Sequence, residues 1–180
     1  LVPTPTATPR SFITTTVATL AGHTGPIKSA FFSNDGSKVI SFSHDNTAKI
    51  WDTQSGELIA TLEDHFEDSY YAEFSPDGTR LITADYNINF GRLWDVESGE
   101  LIIVLERGPQ GWQFPAVFNE DSSRLVTFHE DNGLRVREGK TGEVIYSHNN
   151  VDSWGFSTNF MVGGNLIFFS TRSSEFTTVI

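Results

Sequence analysis

Lys49-Ile50-Trp51-Asp52-Thr53-Gln54-Ser55-Gly56-Glu57-Leu58-Ile59 recurs 43 residues later as Arg92-Leu93-Trp94-Asp95-Val96-Glu97-Ser98-Gly99-Glu100-Leu101-Ile102. A worn third copy follows at the same interval: Arg135-Val136-Arg137-Glu138-Gly139-Lys140-Thr141-Gly142-Glu143-Val144-Ile145. Arg137 stands there where the other two have Trp51 and Trp94. Gly56, Gly99 and Gly142 keep the same 43-residue interval as Trp51, Trp94 and Arg137.

The turns between copies keep the same period. Asn34-Asp35-Gly36 and Pro76-Asp77-Gly78 read as hairpin turns, each preceded by a phenylalanine, Phe32 or Phe74. Apolar strands are expected after them at 38–42 and 80–84. A third set is Phe118, Glu120-Asp121-Ser122-Ser123 and a strand at 124–128; a fourth is Phe160, Gly163-Gly164 and a strand at 166–169. The four phenylalanines are 42, 44 and 42 residues apart. A period of about 40–45 residues is the size of one four-stranded propeller blade. Val39-Ile40 and Ile167-Phe168-Phe169 do not alternate with polar residues, as expected for strands buried on both faces of a sheet. Helical periodicity is absent, so the expected fold class is all-β: a β-propeller of about four four-stranded blades.

Composition narrows the function classes. Hydrophobic residues at 38% and charged residues at 19% define a globular chain of 180 residues, long enough for a good core. Its 15 phenylalanines suit strands that bury both faces. A net charge of −11 argues against nucleic acid, whose phosphates need a basic surface, and equally against anionic membranes. Basic proteins or peptides are the easier partners. With no cysteine there is neither a disulfide framework nor a thiolate metal site. No apolar run approaches the roughly 18 residues of a helical membrane span, so no membrane insertion is expected. Residues 1–11, rich in Pro and Thr, read as an extended linker or a disordered terminus.

The first repeat carries Gly22-His23 near its start, Asn34-Asp35-Gly36 in its middle and Trp51-Asp52 at its end. It resembles a WD40 repeat, and the second resembles it too, with Asp64-His65 and an intact Trp94-Asp95. The resemblance covers about residues 12–180, with repeats near 12–52, 53–95, 96–138 and 139–180. It implies a propeller of WD40 type, either a partial ring or part of a larger one. It also implies a hydrogen-bonded chain of His, Ser or Thr, Asp and Trp in each good blade. In repeat one these would be His23, Ser41, Asp45 and Trp51; in repeat two, His65, Thr83 and Trp94. One extra residue between Asp85 and Gly91 leaves the aspartate of repeat two unassigned. Repeat three keeps Thr127 and Asp131 but has no histidine at its start, and with Arg137 for Trp the tie is expected to be lost. Stability should therefore concentrate in the first two blades.

His, Ser and Asp together can suggest nucleophilic catalysis, yet here the trio recurs at blade spacing, which a structural network explains better. No Gly-x-Ser-x-Gly elbow is present, and Val162-Gly163-Gly164-Asn165 reads as a hairpin turn rather than a phosphate cradle. The run Glu63-Asp64-His65-Phe66-Glu67-Asp68 could hold a hard cation but matches no calcium-loop spacing, so a solvated acidic loop is favoured. His44-Asp45 and His129-Glu130-Asp131 read as turn residues rather than ligands. Neither cofactor nor metal is expected.

The resemblance implies a non-catalytic scaffold that binds a protein or peptide through the propeller face. Candidates on that face are Thr24, Phe66, Tyr70, Gln110 and Trp112, with Tyr70 and Trp112 of the amphipathic aromatic kind found at hot spots. Packing of these residues between blades is an equal alternative. Residues 12–20 match the outer strand that follows each Trp-Asp, as at 58–62. A fragment of a longer propeller is favoured, with self-association of two copies to complete a ring as the main alternative. An enzymatic or ligand-binding propeller, or a subunit pairing through open blade edges, are the other readings.

Overall fold

The computed structural model describes residues 16, 18–63, 69–85, 91–105, 116–128, 133–148, 158–160, 167–170 and 176–179. The β-branched and aromatic runs form strands, and the turn clusters separate them. The first sheet is a meander of β1 (Ile27–Phe32), β2 (Lys38–Ser43), β3 (Ala48–Asp52) and β4 (Leu58–Leu62), hydrogen-bonded in chain order. A second contains β5 (Ser69–Phe74), β6 (Arg80–Asp85), β7 (Gly91–Asp95) and β8 (Leu101–Leu105). The third is β9 (Ala116–Phe118), β10 (Arg124–Phe128), β11 (Leu134–Glu138) and β12 (Val144–His148). In the fourth, β13 (Thr158–Phe160), β14 (Ile167–Ser170) and β15 (Phe176–Val179) pair in the same order. All pairings are antiparallel, and no helix occurs among the described residues.

Sheet and sequence repeat are offset by one strand. The run after each Trp-Asp closes the sheet already begun, so a repeat ending at Trp51-Asp52 leaves β4 to the repeat that follows it. Residues 12–15 and 17 lie outside the described residues, and the expected strand at 12–20 is not formed by Thr16 or by residues 18–20. A strand exists only through ladder bonds to a neighbour, and none of the four sheets includes this segment.

The first three sheets are each held by the same two turns. Gly36 (φ 71°) and Gly78 (φ 68°) close the first hairpin of sheets one and two. Sheet three has no glycine there, and Ser122 takes φ 62° instead. That left-handed conformation is costly for a residue with a Cβ. Its buried hydroxyl accepts the Asp77 backbone N–H at 3.0 Å, a bond to the neighbouring sheet that glycine could not make.

The second turn explains why each copy carries a glycine at the same place. Asp52 accepts hydrogen bonds from the backbone N–H of Gln54 (3.0 Å) and Ser55 (2.7 Å). Asp95 does the same for Glu97 and Ser98, and the longer Glu138 for Lys140 and Thr141. Gly99 then presses on the outer strand of the previous sheet: a Cβ there would lie 2.9 Å from the Ala60 Cβ and 3.3 Å from the Thr61 carbonyl. Gly142 meets Ile103 in the same way, and Gly56 meets Ala18 and Thr19.

The core lies between sheets as well as within them. Ile40, Phe42, Ile50 and Leu62 of the first sheet pack with Phe74, Leu81 and Trp94 of the second. Ile82, Leu93 and Leu105 of the second pack with Ala116, Phe118 and Leu125 of the third. Burying sheet faces against neighbouring sheets removes the alternation that a half-exposed strand would show.

Candidate functional site

In an antiparallel meander the connections alternate between two ends of the sheet. The β2–β3 turn and the segment before β1 share one end, and they bring together the residues expected to act as a unit. Trp51 is buried on β3 and donates its indole N–H to the Ser41 hydroxyl at 2.8 Å. Ser41 Oγ lies 2.8 Å from His23 Nε2, and His23 Nδ1 lies 2.9 Å from Asp45 Oδ2. Donor and acceptor rules fix the directions. A carboxylate only accepts, so the ring donates from Nδ1–H; in the neutral ring Nε2 then accepts the Ser41 proton. The chain runs Trp51 to Ser41 to His23 to Asp45 with every group used.

Local chemistry holds the far end. The Asp45 carboxylate also takes the Thr24 N–H (2.9 Å), the Thr47 N–H (3.0 Å) and the Thr47 hydroxyl (2.7 Å). Burial pushes its pKa up. Bonds from the Thr47 hydroxyl, the Thr24 backbone, the His23 ring and the Thr47 backbone outweigh that and hold it well below the usual carboxylate range. The His23 ring meets Trp51 edge-on, with centroids 6.0 Å apart. Gly22, at φ 153°, lies under the same indole, where a Cβ would come within 3.2 Å of it. The Gly-His pair thus packs against the tryptophan that its histidine reaches through Ser41.

In the second sheet, Trp94 Nε1 donates to Thr83 Oγ1 at 2.9 Å; His65 lies outside the described residues. The third sheet differs from the expectation of a lost tie. Arg137 is buried, its Nε donates to Thr127 Oγ1 at 3.1 Å and its Nη1 to the Gly142 carbonyl at 2.9 Å. A guanidinium offers N–H donors in a plane, as an indole offers one, so the hydroxyl keeps its donor. A β-bulge falls at this position in all three sheets, between Ile50 and Trp51, Leu93 and Trp94, and Val136 and Arg137.

Of the candidate binding residues, Thr24 is exposed and its backbone N–H is bound to Asp45. Tyr70 belongs to β5 by its backbone. Phe66, Gln110 and Trp112 lie outside the described residues, as do Asp131, Arg107 and all of the acidic run except Glu63. Among the described residues no three metal-ligating side chains come together. At the opposite end of the sheets, a groove of about 600 Å³ lies between sheets two and three, lined in part by Arg80, Asp95 and Lys140. Its Arg80 is committed, to Asp95 at 2.7 Å and to the Lys140 carbonyl at 3.1 Å. Sequence reasoning missed this clamp and the role of Arg137, because both depend on a neighbour some distance away in the chain.

Four-stranded meanders that pack face to face and repeat every 43 residues are propeller blades. Residues 14–52 match the family described as WD domain, G-beta repeat. Those residues form a WD40 repeat, and the chain is all-β and of propeller type. It is 43% identical over 68 residues to an uncharacterized WD repeat-containing protein of Synechocystis, covering 37% of this chain and 20% of the relative. It is 27% identical over 147 residues to eukaryotic translation initiation factor 3 subunit I of Phaeosphaeria nodorum, covering 75% and 43%. A dynein assembly factor with WD repeat domains of Xenopus laevis is 41% identical over 56 residues, covering 31% and 14%. The chain thus spans less than half the length of these relatives. Among solved structures, a eukaryotic initiation factor superposes with TM-score 0.65 at 17% identity, covering 91% of this chain and 46% of that one. The computationally designed Ika4 protein superposes with TM-score 0.59 at 16% identity, covering 92% and 98%.

Proposed function

We propose that this chain is a non-catalytic interaction scaffold that binds a basic protein or peptide through the face carrying the β2–β3 and β4–β5 connections. The observation that carries this reading is the fate of the polar residues. Ser41, a hydroxyl beside a histidine and an aspartate, is buried and accepts the Trp51 N–H, so it is held as a structural relay and not offered as a nucleophile. The relatives named as an initiation factor subunit and a dynein assembly factor fit a role within larger assemblies. The net charge of −11 favours a basic partner. Phe66, Tyr70, Gln110 and Trp112 remain the proposed contacts. The test is a pull-down with the 180-residue chain, followed by titration of the captured partner against Trp112→Ala and Tyr70→Ala. Weaker binding with an unchanged unfolding midpoint supports the reading; loss of stability alone removes the proposed face.

A specific contact favours self-association as a second reading. Residues 18–20 lie on Gly56 as residues 60–62 lie on Gly99, so they hold the place of an outer strand next to the first blade. Yet Leu20 is 38% exposed, whereas its counterparts Leu62 and Leu105 are fully buried. An outer strand exposed in this way fits the edge of a blade in a second copy. Sedimentation equilibrium separates the cases: a dimer that Leu20→Asp returns to monomer supports it, and a monomer at all concentrations rejects it.

A further inference from the structure

Tyr71 and Glu73 are two residues apart on β5, the first strand of the second blade, and so share one side of it. Their cross-strand partners on β6, Ala84 and Ile82, belong to the apolar cluster that joins this blade to Ala116 and Phe118 of β9. A carboxyl and a phenol therefore sit half-buried in the seam between blades. They form a short hydrogen bond with each other. The Tyr71 hydroxyl also lies 3.3 Å from the Ala116 carbonyl, and the Phe118 backbone N–H acts to lower the pKa of the Glu73 carboxyl.

The two backbone groups on β9 are a matched pair. Asn119 N–H bonds the Arg124 carbonyl across the β9–β10 hairpin, which in an antiparallel ladder turns the N–H and C=O of Ala116 and Phe118 to the other edge. The C=O of one residue and the N–H of the second one along are what an added strand would bond. Tyr71 and Glu73 take that strand's place with side chains.

Counting hydrogens gives the pair a second property. With Glu73 ionised, the single phenolic hydrogen faces two acceptors, the carboxylate and the Ala116 carbonyl. With Glu73 protonated, its O–H donates to the Tyr71 oxygen and Tyr71 donates to Ala116. We propose that Tyr71 and Glu73 form a proton-operated latch between the second and third blades, closed when Glu73 carries the proton. Burial, opposed by the bonds from Tyr71 and Phe118, raises the Glu73 carboxyl above its ordinary value, while burial and Glu73 together push the Tyr71 phenol far upward. Among the described residues Tyr71 is the titratable group against Glu73. On the same face β6 brings Ile82 and Ala84, and β9 brings Ala116 and Phe118, all uncharged. At the equivalent places β1 has Ser29 and Phe31, so the first blade lacks the device.

The sign follows from linkage. A carboxyl raised in the folded state gives stability that is complete below its unfolded value, near 4.5, and is lost as pH rises through the folded one. The experiment measures urea midpoints of the wild type, Glu73→Gln and Tyr71→Phe from about pH 4, just below the unfolded carboxyl value, to about pH 9. Glutamine keeps the protonated pattern, its NH₂ donating to Tyr71. The wild-type midpoint should fall with rising pH relative to Glu73→Gln, and Tyr71→Phe should keep the fall but start lower. Parallel curves for the wild type and Glu73→Gln overturn the proposal. Should Glu73→Gln not fold, infrared spectroscopy decides: a protonated-carboxyl band that persists in the folded wild type above the pH at which the unfolded chain loses it, and is shifted in Tyr71→Phe, supports the latch, and loss of the band at the same pH in both states overturns it.

Discussion

Arg137 donates to the Thr127 hydroxyl at 3.1 Å from the place where Trp51 and Trp94 donate to Ser41 and Thr83. The bond from the third strand to the second is thus kept while the residue type is not. A buried cation costs solvation unless its N–H groups are engaged, and here one of them holds the Gly142 carbonyl at the next turn. Replacing Arg137 with Leu leaves Thr127 and Gly142 each short of a donor. Urea unfolding should register a loss of about 1–3 kcal/mol for each group. Arg137→Trp should recover the Thr127 share alone.

In the first blade the polar chain is expected to act as a unit. Trp51→Phe keeps an aromatic ring but removes the N–H and part of the indole's bulk, at a cost of about 1–3 kcal/mol for the lost bond plus a cavity contribution. His23→Ala breaks the bonds to Ser41 and Asp45 together. The double variant should cost less than the sum of the two, by about 0.5–3 kcal/mol. Strict additivity in a double-mutant cycle would mean that the residues do not cooperate.

Acid should unfold the protein through its turns. Asp45 is held below the ordinary value of 3.8 against burial by the bonds already named. Asp52 is lowered first by the Ser55 backbone N–H and Asp95 first by that of Ser98. Groups depressed on folding contribute stability above their unfolded value and lose it as pH falls through the folded one. Midpoints should therefore drop below about pH 4, opposite in sign to the Glu73 effect and in a separate window. Asp45→Asn should flatten part of that acid limb, and an unchanged limb would remove Asp45 from the account.

Gly36 and Gly99 have the same φ of 71° but different surroundings. A Cβ at Gly36 meets nothing within 4 Å, whereas at Gly99 it meets Ala60 at 2.9 Å. Gly36→Ala should cost only the left-handed penalty of about 1–2 kcal/mol. Gly99→Ala should add an overpacking cost of about 1–3 kcal/mol, because the second blade must move away from the first. Equal losses for the two would mean that the turn does not press on the neighbouring blade.

The blade, with its period, its turns and its all-β class, is written along the chain. Asn34-Asp35-Gly36 and Trp51-Asp52 act within a few residues, through glycine's freedom at positive φ and a carboxylate that caps its own turn. Such chemistry is written locally and repeats where the local problem repeats. What lies between blades comes from how the sheets pack in three dimensions. Ser122 at positive φ without glycine, Arg137 in place of a tryptophan, the Arg80 clamp and the Tyr71–Glu73 pair each rest on a partner in another strand or another blade. Their bonds depend on register and on which faces meet, and spacing along one chain carries neither.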